Sequence, residues 1–214
     1  MGDLENLKNW VVDHIRGVTF VVAGVVGVLI LGALVSAFMK HREQSAVEAL
    51  YTARQAVDVL SPDKRVSEGK AILEKVADQN SHTRAAYEAL LGIGDIYTDA
   101  KNYADAATYY QKAVAAAPDD FARVMALYDK AGAEEFAGNC AAAIQSYADL
   151  EKQKGAAFLQ PEAMLAQGRC HETLKEYAKA GEIYKKIQDQ FPNNSYYSGA
   201  AQVFLDKLKP QMKN

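Results

Sequence analysis

The sequence is poor in the residues that build metal centres and disulfide frameworks, with two cysteines, Cys140 and Cys170, and four histidines, His14, His41, His82 and His171. The histidines lie in four separate segments, and no His-x-x-x-His or Cys-x-x-Cys pair offers metal-ligand spacing. Cys170-His171-Glu172 is the one local cluster, and adjacent residues of a helix point about 100° apart, too far to share an ion. Gly92-Ile93-Gly94 lacks the third glycine of a dinucleotide loop, and no nucleophile elbow occurs. Neither a catalytic group nor a cofactor is therefore expected. Basic charge is also short: residues 43–214 carry 20 Lys and Arg against 24 Asp and Glu, which leaves no positive stripe for nucleic acid. With five prolines and 14 glycines, falling mostly at regular intervals, the composition is that of packed helices.

What the chain does have is one long apolar run. Gly17 to Met39 are 23 residues without a charge, 13 of them Val, Leu, Ile or Phe, between Arg16 and Lys40-His41-Arg42. As a helix they reach about 34 Å, against a hydrocarbon thickness of about 30 Å. A membrane span over 17–39 is the expectation. Residues 1–16 read as a polar tail or a short interfacial helix, since Leu4, Leu7, Val11 and Ile15 recur at helical spacing beside Trp10. The competing reading is a cleaved signal peptide with Val35-Ser36-Ala37 at the cut. The run exceeds the roughly 7–15 residues of such a segment, and Asp3, Glu5 and Asp13 precede it. No cysteine lies near it for lipid attachment. Lys8 and Arg16 on one side balance Lys40, Arg42 and Arg54 on the other, so charge does not orient the span.

The rest of the chain repeats. At a shift of 37 residues the columns Gly69, Ala106, Ala143, Ala180 and Leu73, Tyr110, Tyr147, Tyr184 come into line, followed by Val76, Ala113, Leu150, Ile187. Upstream lie Val57, Gly94, Ala131, Gly168 and Ala53, Leu90, Leu127, Met164. A small residue followed by apolar ones four and seven positions later marks one helix face, and the small residue marks where a neighbouring helix comes closest. Each unit reads as two helices, with inner turns near Ser61-Pro62-Asp63, Lys101-Asn102, Gly138-Asn139 and Lys175-Glu176. A domain over 43–214 is expected, with units at about 50–86, 87–123, 124–160 and 161–197 and a capping helix over 195–208.

These units resemble tetratricopeptide repeats. The second carries Leu90, Gly94, Tyr97, Tyr103, Ala106, Tyr110, Ala113 and Pro118 at that pattern's positions, and the fourth carries Met164, Gly168, Tyr177, Ala180, Tyr184 and Pro192. In the third, Glu134 and Cys140 replace two aromatics; in the fourth, His171 replaces one. The resemblance implies an all-α fold, a right-handed α-solenoid of about four helix pairs, and a concave face lined by first helices. The inward positions would be Glu88, Leu91, Asp95 and Thr98, then Met125, Tyr128, Gly132 and Glu135, then Glu162, Leu165, Arg169 and Glu172. Such a groove is apolar with an acidic border and suits a polypeptide with apolar anchors and basic flanks. The lysines and asparagines with which one subgroup of these repeats holds a chaperone's carboxyl terminus are missing.

Cys140 opens the second helix of unit three, and Cys170 lies late in the first helix of unit four, at the same end of an antiparallel stack. They would either bridge in an oxidising compartment, closing a loop of about 30 residues, or serve as two small core residues.

One amino-terminal span followed by tetratricopeptide units also resembles the YfgM-like family. That resemblance implies an inner-membrane protein whose repeat domain faces the periplasm. Its partners would be the Sec translocon, a membrane-anchored periplasmic chaperone, and secreted or envelope polypeptides. A cytosol-facing receptor or envelope-complex assembly scaffold is the alternative.

Overall fold

The computed structural model describes residues 2–211, which fall into two compact units, one up to Ser45 and one from Ala46 onward. In the first, helix α1 (Gly2–Asp13) is followed by α2 (Ile15–Asp58). At the junction the rings of Trp10 and His14 stack with centroids 4.7 Å apart. From Thr19, α2 is long and apolar enough to cross a membrane, with mean hydropathy 2.6 over its most apolar stretch and none of that stretch buried.

Sequence spacing separates the apolar run from a first repeat helix beginning near residue 50, yet α2 continues unbroken to Asp58. The reason is local: residues 40–50 contain no glycine or proline and are rich in Lys, Arg, Glu, Gln and Ala, all good helix formers.

The second unit starts with the end of α2, whose Ala46, Leu50, Ala53 and Val57 are buried. There follow α3 (Pro62–Lys64), a π turn (Arg65–Gly69), α4 (Lys70–Gln79), α5 (Arg84–Asp99), α6 (Tyr103–Ala116), α7 (Asp120–Phe136) and α8 (Cys140–Glu151). A 3-10 turn (Ala156–Phe158) then leads to α9 (Gln160–Thr173), α10 (Tyr177–Gln190) and α11 (Ser195–Leu208). The described residues contain no strand. From α4 to α11 each helix packs mainly on the one before and the one after it, with further contacts between α7 and α9 and between α9 and α11. Packing of this kind, neighbour on neighbour, is what makes an α-solenoid.

The 37-residue columns form its core. Ala106, Ala143 and Ala180 are fully buried, as are Ala113, Leu150 and Ile187, while Tyr110, Tyr147 and Tyr184 lie below 5 % exposure. Leu90 alone in its column is only partly buried, wedged between two clusters. The inner turns are periodic as well. Lys101, Gly138 and Lys175 adopt positive φ of 58°, 77° and 61°. In each turn the next residue's N–H reaches back five residues: Asn102 to Tyr97 O at 2.8 Å, Asn139 to Glu134 O at 2.9 Å and Glu176 to His171 O at 2.8 Å. These are Schellman-type stops, which satisfy carbonyls that a helix end would otherwise leave free. At the opposite end Thr83 and Asp119 cap α5 and α7, accepting from Ala86 N at 3.2 Å and Ala122 N at 2.8 Å.

Unit one departs from the pattern. Its second helix opens with the π turn, and Arg65 donates to the carbonyls of Leu60 (3.2 Å) and Asp58 (3.1 Å), tying down the end of α2. The wide turn sets Gly69 against Val57, where an added Cβ would meet Cγ1 at 3.3 Å. At the other end α11 packs on α10 and buries Ala201, Leu205 and Leu208 against Tyr184 and Ile187.

Candidate binding groove

The side-chain chemistry concentrates where α5, α7 and α9 lie next to one another. Three bonds recur at the repeat interval. The Tyr110 hydroxyl is 3.2 Å from Thr98 Oγ1, the Tyr147 hydroxyl donates to Glu135 at 3.1 Å, and the Tyr184 hydroxyl donates to Glu172 at 2.6 Å. Each tyrosine stands on the second helix of its unit and reaches a side chain late on the first. Burial raises the pKa of all three phenols, and the Glu135 and Glu172 carboxylates raise those of Tyr147 and Tyr184 further. They remain donors across the ordinary pH range.

Between the first two of these pairs lies a cavity of about 310 Å³, lined by Thr98, Tyr110, Tyr128, Asp129, Gly132, Glu135, Phe136, Tyr147, Glu162 and Arg169 among others. One cation lines it. The Arg169 guanidinium is held by Glu135 in two bonds, Nε to Oε1 at 2.8 Å and Nη2 to Oε2 at 3.2 Å, with Glu162 at 4.0 Å. The Asp129 carboxyl is pushed up to about 6, first by burial and then by the charge of Asp95. Asp95 is itself raised by burial and accepts a 2.8 Å hydrogen bond from Tyr110.

The inward positions expected from the sequence are only partly gathered here. Tyr128, Glu135, Glu162 and Arg169 line the cavity with Thr98 and Gly132, and Asp95 joins through Tyr110. Glu172 lies beside Arg169 in a neighbouring cavity of about 380 Å³ and takes Lys207 at 3.4 Å. Glu88 is spent on Arg54 at 3.1 Å. Leu91 and Met125 are partly buried, Leu91 packing between two core clusters. Leu165 is a correction: it is 3 % exposed and packs with Ala201 and Leu205, because α11 covers the face that an uncapped fourth unit would have opened. Similarity between units does not single out Asp129, although a signal exists: its 37-residue column reads Gln55, Gly92, Asp129, Ala166, with a small residue in both flanking units.

Cys140 and Cys170 are both buried and share one core cluster as separate thiols. Burial, then the neighbouring Cys140 thiol, pushes the Cys170 pKa far up.

The family profile described as tetratricopeptide repeat matches residues 65–121 and 128–195, more than half of the chain. The chain belongs to this family. Its repeats superpose on those of a tetratricopeptide repeat protein from Parabacteroides merdae with a TM-score of 0.58 at 18 % identity, over 78 % of this chain and 61 % of that one. It thus spans about 61 % of that relative's length. MamA from Desulfovibrio magneticus is similar as well, with a TM-score of 0.54 and 19 % identity over 78 % of this chain and 89 % of that one. At such identities the likeness is one of fold. No curated protein sequence matches the chain. Tetratricopeptide domains bind other proteins, and that general role carries over with the family.

Proposed function

We propose that this chain is a membrane-anchored adaptor: the apolar stretch of α2 holds it in a bilayer, and the tetratricopeptide unit captures polypeptides in the groove between α5, α7 and α9. The observation that carries this reading is the 310 Å³ cavity, an aromatic-walled recess built mostly on first helices, with Tyr110 and Tyr147 reaching in from second helices. Concave pockets with a few convergent polar groups are where ligands bind. Membrane insertion is supported by a stretch of hydropathy 2.6 with no protein covering it, since apolar side chains left in water would forgo most of their transfer free energy.

Within that role we favour a YfgM-like protein of the bacterial inner membrane, its repeats in the periplasm. Its charges would be the Sec translocon, a membrane-anchored periplasmic chaperone, and secreted or envelope chains. The support is the order of one apolar helix followed by repeats. In that oxidising compartment Cys140 and Cys170 would close a disulfide.

Photo-crosslinking from Tyr128 in living cells, with mass-spectrometric identification, tests the adaptor role. Translocon subunits or exported chains are the expected captures. A membrane-impermeant thiol probe, applied after unfolding and reduction, tests orientation at Cys140 and Cys170. Labelling from the cytosolic side alone would replace the periplasmic reading with a cytosol-facing receptor or assembly scaffold.

A further inference from the structure

The groove holds an imbalance that packing does not explain. Three carboxylates, Asp129, Glu135 and Glu162, line one recess together with a single guanidinium, Asp95 joins them through its bond from Tyr110, and Glu135 already grips that guanidinium in two hydrogen bonds. Asp129 is partly buried, and the charge that acts on it is that of Asp95, of like sign. Arg54, whose charge acts on Asp95, is taken up by Glu88 at 3.1 Å. Nor does the solenoid need a carboxylate there. The equivalent positions of the flanking units are Gly92 and Ala166, so a small apolar side chain satisfies the helix contact. A partly desolvated carboxylate beside a like charge works against folding, and a ligand that supplied a positive charge would recover that cost on binding.

We propose that this recess receives a lysine or arginine side chain of a bound polypeptide, whose cationic head pairs with Asp129 and Asp95 while its stem lies between Tyr128 and Tyr110. This rests on the adaptor reading and names the anchor residue of its partner. Charge complementarity selects a cation. The tyrosine walls favour one carried on an apolar stem, because aromatic faces attract ammonium and guanidinium groups and cover methylenes. A polypeptide is the source because a second cavity, lined by Glu172 and sharing Arg169 with this one, lies beside it and offers room for flanking residues. A metal ion is a poorer occupant, since among the described residues no three His, Cys, Asp or Glu side chains converge.

The test uses the full-length chain in detergent and two fluorescent peptides, acetylated and amidated. Both alternate leucine and serine, and they differ only at a central lysine or norleucine. We expect the lysine peptide to bind about tenfold more tightly at pH 7.5. Asp129→Asn abolishes that preference, Asp95→Asn reduces it, and Asp189→Asn on the exposed face of α10 leaves it intact. Acidification through pH 6 weakens the lysine peptide and spares the norleucine one. Thermal melts confirm that each variant is folded. Equal binding of the two peptides, a lysine preference that survives Asp129→Asn, or displacement of the lysine peptide by calcium in the same concentration range overturns the proposal. If polypeptides still crosslink at Tyr128 in cells while lysine and norleucine peptides bind alike, the adaptor reading stands and the cationic anchor falls.

Discussion

Gly168 lies directly beneath the ring of Tyr184: a Cβ at this position would sit 2.6 Å from the phenolic Cζ. The ring has nowhere to go. Its hydroxyl is bonded to Glu172 at 2.6 Å, its face stacks on Phe204 with centroids 5.1 Å apart, and the residue is fully buried. Gly168→Ala should therefore destabilise by about 1–3 kcal/mol, the usual range for overpacking. Because modules contact mainly their neighbours, the loss should be local. Amide exchange should accelerate in α9 to α11 and hold in α5 and α6. An unchanged melting curve would show that the ring can yield.

Asp129 makes stability depend on pH in an unusual direction. Burial, then Asp95, raises its folded pKa to about 6, above the roughly 3.9 of an unfolded chain. Between those values the folded state binds the extra proton, so stability falls as pH rises from about 4 to about 6, and the penalty is complete above that. Asp129→Asn removes it. The variant should gain on the order of 1–2 kcal/mol at pH 7.5, a range that allows for water reaching the cavity, and nothing near pH 4. Denaturant titrations at the two pH values decide, and a gain of equal size at both would exclude a protonation origin.

The helical core could be read in advance because it is periodic: Ala106, Ala143 and Ala180 repeat, and all three prove fully buried. The turns at Lys101, Gly138 and Lys175 were visible for the same reason. What periodicity hid was the exception. Asp129 stands between Gly92 and Ala166 of the flanking units, and a search for similar residues passes over the dissimilar one. Leu165 misled because repeat position alone ignores what comes next; α11 turns an inward site of the last unit into core. The join between the apolar run and the first repeat helix was lost to the opposite cause, since residues 40–50 contain nothing that stops a helix.

Glu135 is a shared acceptor whose removal should cost more than one contact. It holds Tyr147 at 3.1 Å and Arg169 at 2.8 Å, linking α7 to both α8 and α9. Glu135→Ala leaves a buried phenol and a half-buried guanidinium without their acceptor, a loss of about 2 kcal/mol. Arg169 is 38 % exposed, so water screens its pair with Glu135. The Glu135/Arg169 double-mutant cycle should therefore return a coupling of only about 0.5–1 kcal/mol, less than the Glu135/Tyr147 cycle. A larger coupling to Arg169 would mean that the ion pair, not the phenol, dominates this junction.

The two thiols provide the last prediction. Alkylating reagents attack the thiolate, and the Cys170 thiol is both buried and held protonated, first by burial and then by Cys140. In reduced, folded protein, labelling at pH 8 should run at least about a hundredfold more slowly than after unfolding, when two equivalents react. Protein recovered from an oxidising compartment without reductant offers a second measurement. Zero thiols on unfolding would mean a bridge across about 30 residues, worth roughly 3–4 kcal/mol by the chain-entropy argument, and reduction should then lower the melting temperature. Two thiols on unfolding would leave Cys140 and Cys170 as core residues and would contradict the bridge expected of the periplasmic reading. Rapid labelling of the reduced folded chain would be the more serious result, because it requires the α8–α9 contact to open on the timescale of the experiment.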